Sequence, residues 1–130
     1  MATLTPTITL VSTDATSNEV NFSVTDTLTV TDPQIGLSKV AATTTGNETI
    51  ILASHSSIRY LYLKHTGFDA SDSATSQTLQ VEIENGKSFA ELAAGEFLFV
   101  PIGQNSGSVA VQLEATSGTI IAEYAFWTKG

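Results

Sequence analysis

Apolar and polar residues alternate along most of the chain. From Val20 to Val30 the even positions are Val20, Phe22, Val24, Asp26, Leu28 and Val30, and the odd ones are Asn21, Ser23, Thr25, Thr27 and Thr29. A period of two is the signature of a β-strand with one face covered and the other in water. Asp26 interrupts the apolar face, so this stretch is either one strand bent at Asp26 or two short strands meeting there. Leu79, Val81 and Ile83 alternate with Gln80, Glu82 and Glu84, and Val109, Val111 and Leu113 with Ala110, Gln112 and Glu114. The polar partners in both runs are expected on a solvated sheet face. Further strands are expected over Thr7 to Val11, Gly36 to Ala41, Glu48 to Ala53, Ile58 to Thr66, Gly95 to Ile102 and Thr119 to Thr128.

Turn signals separate these runs at Thr31-Asp32-Pro33, Thr45-Gly46-Asn47, Asn85-Gly86-Lys87, Asn105-Ser106-Gly107 and Thr116-Ser117-Gly118. Asn85-Gly86 is the best of them, because both residues accept the positive φ of a type I′ turn. Only Ser88 to Ala94 (SFAELAA) reads as a turn or two of helix, with Gly95 to stop it. The pattern predicts an all-β fold, a single antiparallel β-sandwich of eight or nine strands, jelly-roll-like in kind, spanning residues 1–130. Residues 1–6 are expected as a free arm, and Phe68 to Gln77 (FDASDSATSQ) as an exposed loop.

Three strands break the alternation by carrying large apolar residues on both faces. These are IRYLYLKHT with Tyr60 and Tyr62, GEFLFVPI with Phe97 and Phe99, and AEYAFWTKG with Tyr124, Phe126 and Trp127. In the second, Leu98, Val100 and Ile102 are expected to point inward, and Pro101, lacking an N–H, to mark a strand end, edge or bulge. In the third, Tyr124 and Phe126 are expected in the core. A sandwich has one interior, so the opposite set needs another cover, and large exposed apolar patches on monomers are unusual. Phe97, Phe99 and Trp127, with Tyr60 and Tyr62 behind them, are therefore the candidate subunit-interface residues.

Composition narrows the function. A chain of 130 residues, 42% hydrophobic and only 14% charged, suits one folded domain. Its 20 threonines favour solvated strands. Thirteen acidic residues stand against five basic ones, Lys39, Arg59, Lys64, Lys87 and Lys129, for a net charge of -8. Scattered cations cannot neutralise a row of phosphates, so no direct nucleic-acid binding is expected. There is no cysteine, hence no disulfide and no thiolate metal site. No apolar run approaches a membrane span, and no cationic stretch precedes a long apolar run, so neither a membrane anchor nor a secretory leader is expected.

Candidate chemistry is sparse. His55 and His65 lie on different expected elements, without the close spacing of a metal pair. No G-x-S-x-G elbow accompanies the serines. Asp69 and Asp72 offer oxygen ligands for calcium, but lack the glycine and glutamate of an EF-hand loop, and a solvated loop is the stronger reading. Glu82, Glu84, Glu114 and Glu123 invite a glycosidase reading, but Glu82, Glu84 and Glu114 sit on the polar faces of alternating strands, and a solvated sheet face is the stronger reading for them. No enzyme and no cofactor is expected. Tyr60, Tyr62 and Trp127 leave open a carbohydrate-binding module, since aromatic faces stack on sugars.

The order IRYLYLKHTG, TLQVEIENG, FAELAAGEFLFVPI, SVAVQLEATSG and IIAEYAFWTKG over residues 58–130 resembles small virion structural proteins of tailed bacteriophages, especially marine and cyanobacterial ones. The resemblance implies a non-enzymatic accessory protein of the virion, made in the host cytoplasm, most plainly an oligomeric capsid decoration (cement) protein. A tail, adaptor or baseplate part is the alternative. Its implied partners are the major capsid protein or other virion proteins, and further copies of itself. A closed ring, most simply a trimer, would cover the second apolar face without leaving an open sheet edge.

Overall fold

The computed structural model describes residues 2–31, 36–46, 48–83 and 87–130, those at 54 and 105–110 by backbone alone. The expected turns at Asp32-Pro33, Asn47 and Asn85-Gly86, and Glu84 with them, lie outside the described residues. The fold is all-β. Its strands are β1 (Ala2–Leu4), β2 (Thr7–Ser12), β3 (Val20–Thr25), β4 (Leu28–Thr31), β5 (Ser38–Ala42), β6 (Thr49–His55), β7 (Arg59–His65), β8 (Leu79–Glu82), β9 (Ser88–Leu92), β10 (Phe97–Ile102), β11 (Asn105–Ala115) and β12 (Ile120–Lys129).

The last eight strands make the sandwich. One sheet runs β5-β12-β7-β10, with β4 and then β1 added beside the far end of β12, and the other runs β6-β11-β8-β9; every named pair is antiparallel. Counting from β5, the first strand pairs with the eighth, the second with the seventh, the third with the sixth and the fourth with the fifth. That is the strand order of a jelly roll, a ribbon rolled up on itself. Between the sheets lie Leu61, Leu63, Leu79, Val81, Val111, Leu113, Ile120 and Ala122, all fully buried. A buried side chain of leucine size contributes about 1.5–3 kcal/mol relative to its exposed state. Leu98, Val100, Ile102, Tyr124 and Phe126 pack against this core, facing inward as the alternation requires.

Several expectations change. SFAELAA is not helical: Ser88–Leu92 is a strand paired with β8, and no helix occurs among the described residues. Its alternation of Phe89, Glu91 with Ala90, Leu92 fits a sheet with one covered face, and sheet pairing overrides the helix propensity of Ala, Glu and Leu. Asn105-Ser106-Gly107 begins β11 rather than a turn, with irregular pairing to β6. Residues 2–4 are no free arm but an edge strand on β4. These additions, with the break at Asp26, raise the strand number above eight or nine.

The polar runs are not solvated either. Glu82 and Gln112 are each only 2% exposed, and Glu114 is buried beside them. Gln112 Nε2 donates to Glu82 Oε2 at 2.7 Å, and Glu114 Oε1 accepts from the Thr45 hydroxyl. The segment after β5 closes over this end of β11, where the Ala115 amide donates to Thr43 O at 2.8 Å. Ile83, expected inside, is exposed, because a register shift after Val81 in the β8–β9 pairing ends the regular alternation.

Candidate functional site

Cross-strand register assembles the outer face of the larger sheet. Phe97 of β10 sits beside Lys64 of β7, which sits beside Glu123 of β12; next comes the row Phe99, Tyr62, Ala125, and then Pro101, Tyr60, Trp127. Directly paired residues project to the same side. The sheet therefore brings all five candidate residues, drawn from three strands, onto one surface. Their exposure differs widely. Phe97 is 65% exposed, Phe99, Tyr62 and Trp127 are half-buried, and Tyr60 is 7% exposed, its ring stacked on Phe99 with centroids 6.1 Å apart. The Tyr62 hydroxyl donates to Glu123 Oε1 at 3.4 Å. Burial first, and then the Glu123 carboxylate, hold its phenol above the usual range, so it remains a donor.

The corner before β10 fixes where Phe97 emerges. Gly95 has φ +86°, open to glycine and strained for other residues. Its amide donates to His65 O at 3.0 Å, and the His65 amide donates to Glu96 O at 2.9 Å. The Glu96 carboxylate folds back to accept from the Ala93 amide at 2.8 Å. These bonds pin the corner to the end of β7.

What lies above the outer face is a ribbon that the alternation could not place. Strands β1 and β4, then β2 and β3, pair in a single register, Ala2 with Val30, Leu4 with Leu28, Ile8 with Val24, and Leu10 with Phe22. The 2–30 hairpin is thus continuous, bent at Pro6 and Asp26, where the Asp26 amide donates to Pro6 O at 3.1 Å and Asp26 Oδ1 accepts from the Thr27 amide at 2.7 Å. Asp26 joins two strands, the second of the two arrangements its sequence allowed. One ribbon face carries the even-numbered apolar residues. On the other, Thr7 bonds Thr25 at 2.8 Å and Thr9 bonds Ser23 at 3.0 Å through their hydroxyls.

Along the apolar face burial fades from base to tip. Val30 is buried and Leu28 half-buried, whereas Ile8, Val24, Leu10 and Phe22 are exposed. Near the bend, Pro6, Ile8 and Val24 face Tyr60, Phe99 and Pro101 across a cleft of about 240 Å³. Towards the β10 edge, Thr7 and Ile8 line a second cleft, of about 440 Å³, with Tyr62, Phe97 and Phe99. These arm residues were not among the sequence candidates. Their signal was present, two alternating apolar runs separated by a polar loop, but it reads equally well as core.

The other candidates stay apart from this face. His65 is fully buried; its Nδ1 accepts from the Gly67 amide and its Nε2 lies against Gln77 O, each at 2.9 Å, so Nε2 carries the proton. Asp69 Oδ1 accepts from the amides of Ser71 and Ser73 at 2.8 and 3.0 Å, closing its loop on backbone donors. Among the described residues no group of three or more His, Cys, Asp or Glu side chains comes together as a metal ion would need. No helix among them is long and apolar enough to cross a membrane. Neither a family model, nor a curated protein, nor a solved structure matches this chain.

Proposed function

We propose that this chain is a non-enzymatic structural protein of a tailed-bacteriophage virion, an oligomeric decoration protein that binds the capsid surface. The observation that carries the reading is the half-covered aromatic face of the larger sheet, with Phe97 65% exposed beneath a projecting apolar arm. Large apolar surfaces rimmed by polar residues mark interaction sites. The jelly-roll strand order is one that viral capsid domains and lectins share, and a fold of itself leaves function to the surface. The likeness of residues 58–130 to small virion proteins supplies the setting, and the acidic charge keeps such subunits soluble before assembly.

The face favours protein over sugar. Tyr60 is buried and spends its ring on Phe99, and the clefts are lined almost wholly by apolar side chains, where a glycan needs convergent donors and acceptors. Mass spectrometry of purified particles tests the reading, together with binding of the purified protein to undecorated shells. Presence in particles and saturable uptake by shells are expected. Absence from both sinks the virion reading, and presence in tails alone moves the protein to the tail, adaptor or baseplate.

A further inference from the structure

We infer that the apolar face of the arm docks on the outer aromatic face of a second copy of this chain, each copy giving one arm and receiving one. This deepens the reading of that face as an assembly surface and rests on it.

The arm is a two-stranded hairpin beyond the bend at Pro6 and Asp26, and such a hairpin is marginal in water on its own. Its own sheet meets only Ile8 and Val24; farther out, Leu10 and Phe22 are 51% and 46% exposed. The receiving side has matching room. The cleft over Tyr62, Phe97 and Phe99 measures about 440 Å³, whereas a cavity of roughly 150 Å³ takes one benzene ring. By volume that space has room for the side chains of Leu10 and Phe22 of a second copy beside the receiving chain's own Thr7 and Ile8.

Charge selects the same occupant. Residues 1–38 contain Asp14, Glu19, Asp26 and Asp32 but no Lys, Arg or His. Asp14 and Glu19 flank the arm tip, in and beside the loop that joins β2 to β3. On the receiving face Lys64 and Lys39 stand on either side of Glu123 in one cross-strand row, and neither makes an ion pair among the described residues. An acidic apolar arm suits an apolar face edged by lysines, and this chain carries both. Arm and face are different surfaces, so a two-fold pair that exchanges arms, or a closed ring, satisfies every copy without leaving a free arm.

The test uses the full chain. Light scattering is expected to give a multiple of 13.7 kDa for the wild type. Leu10→Asp with Phe22→Asp spoils the arm, and Phe97→Asp spoils the face; each variant is expected to fall to monomer mass with its circular dichroism and cooperative unfolding retained, at a midpoint that no longer depends on protein concentration. Phe97→Ser serves if the aspartate unfolds the chain. Mixed one to one, the two variants are expected to form a heterodimer, because the mixture holds one sound arm and one sound face. The chain has no cysteine, so Phe22→Cys and Phe97→Cys single variants, oxidised together, should yield a disulfide-linked dimer. A monomeric wild type, variants that keep the wild-type mass, or a Phe22→Cys, Phe97→Cys double variant that crosslinks only within one chain would overturn the inference. An oligomer that phage shells do not take up would leave arm exchange standing and remove the virion reading; shells that take up a monomer would do the reverse.

Discussion

The arm beyond Pro6 and the polar row of β8 and β11 invert one another. In the arm, Ile8, Leu10, Phe22 and Val24 alternate with Thr and Ser, and both sets are exposed, the apolar one included. In β8 and β11, Glu82, Gln112 and Glu114 alternate with Val81, Val111 and Leu113, and both sets are buried. The two stretches share a period and differ in what lies over them. The row is closed by Thr43 and Thr45 and by its own Glu82–Gln112 hydrogen bond, so its polar groups tolerate burial. The arm leaves its sheet at the bend and meets a neighbour only at its base. A covered polar row is structural stock of the fold; the apolar stripe has no cover from the same chain at its tip among the described residues.

Changing the row is expected to have the largest effect. Gln112→Leu removes the donor to Glu82 inside a covered site and is expected to cost about 2 kcal/mol in urea unfolding, because a hydrogen bond to a buried charged group is lost. A neutral result would mean that water reaches the row. Thr45→Val, which takes the hydroxyl from Glu114, should cost about 1 kcal/mol by the same measurement.

The arm should answer differently. Leu10→Ser with Phe22→Ser, measured on the variant as a monomer, is expected to change unfolding stability by no more than about 0.5 kcal/mol. A loss of several times that size would mean that the arm is part of the monomer's core. The smallest effect concerns pH. His55, half-buried at the end of β6, is held below the usual histidine range by burial and then by the Arg59 charge. The folded chain thus favours its neutral form, and the unfolded chain binds more protons as pH falls through about 6.5. Stability is therefore lost on acidification below that pH, and His55→Gln should flatten this part of the pH profile in thermal unfolding.

Much of the architecture was legible. Residues such as Val20 to Thr25, Arg59 to His65 and Ile120 to Lys129 lie in strands where their alternation or their β-branched and aromatic content put them. The convergence of Tyr60, Tyr62, Phe97, Phe99 and Trp127 on one face follows from register, which no single strand states. Ser88 to Ala94 misled because Ala, Glu and Leu favour a helix locally, while the pairing with β8 decides from a distance.

Periodicity along the chain says that most of it forms strands, which residues of a regular strand share a side, and that some strands are apolar on both. Which side is covered depends on packing between distant segments. A period of two defines two faces without ranking them, and cover comes from segments far away in the chain: Thr45 over Glu114, the ribbon base over Tyr60, and nothing in the same chain over Leu10 and Phe22 among the described residues.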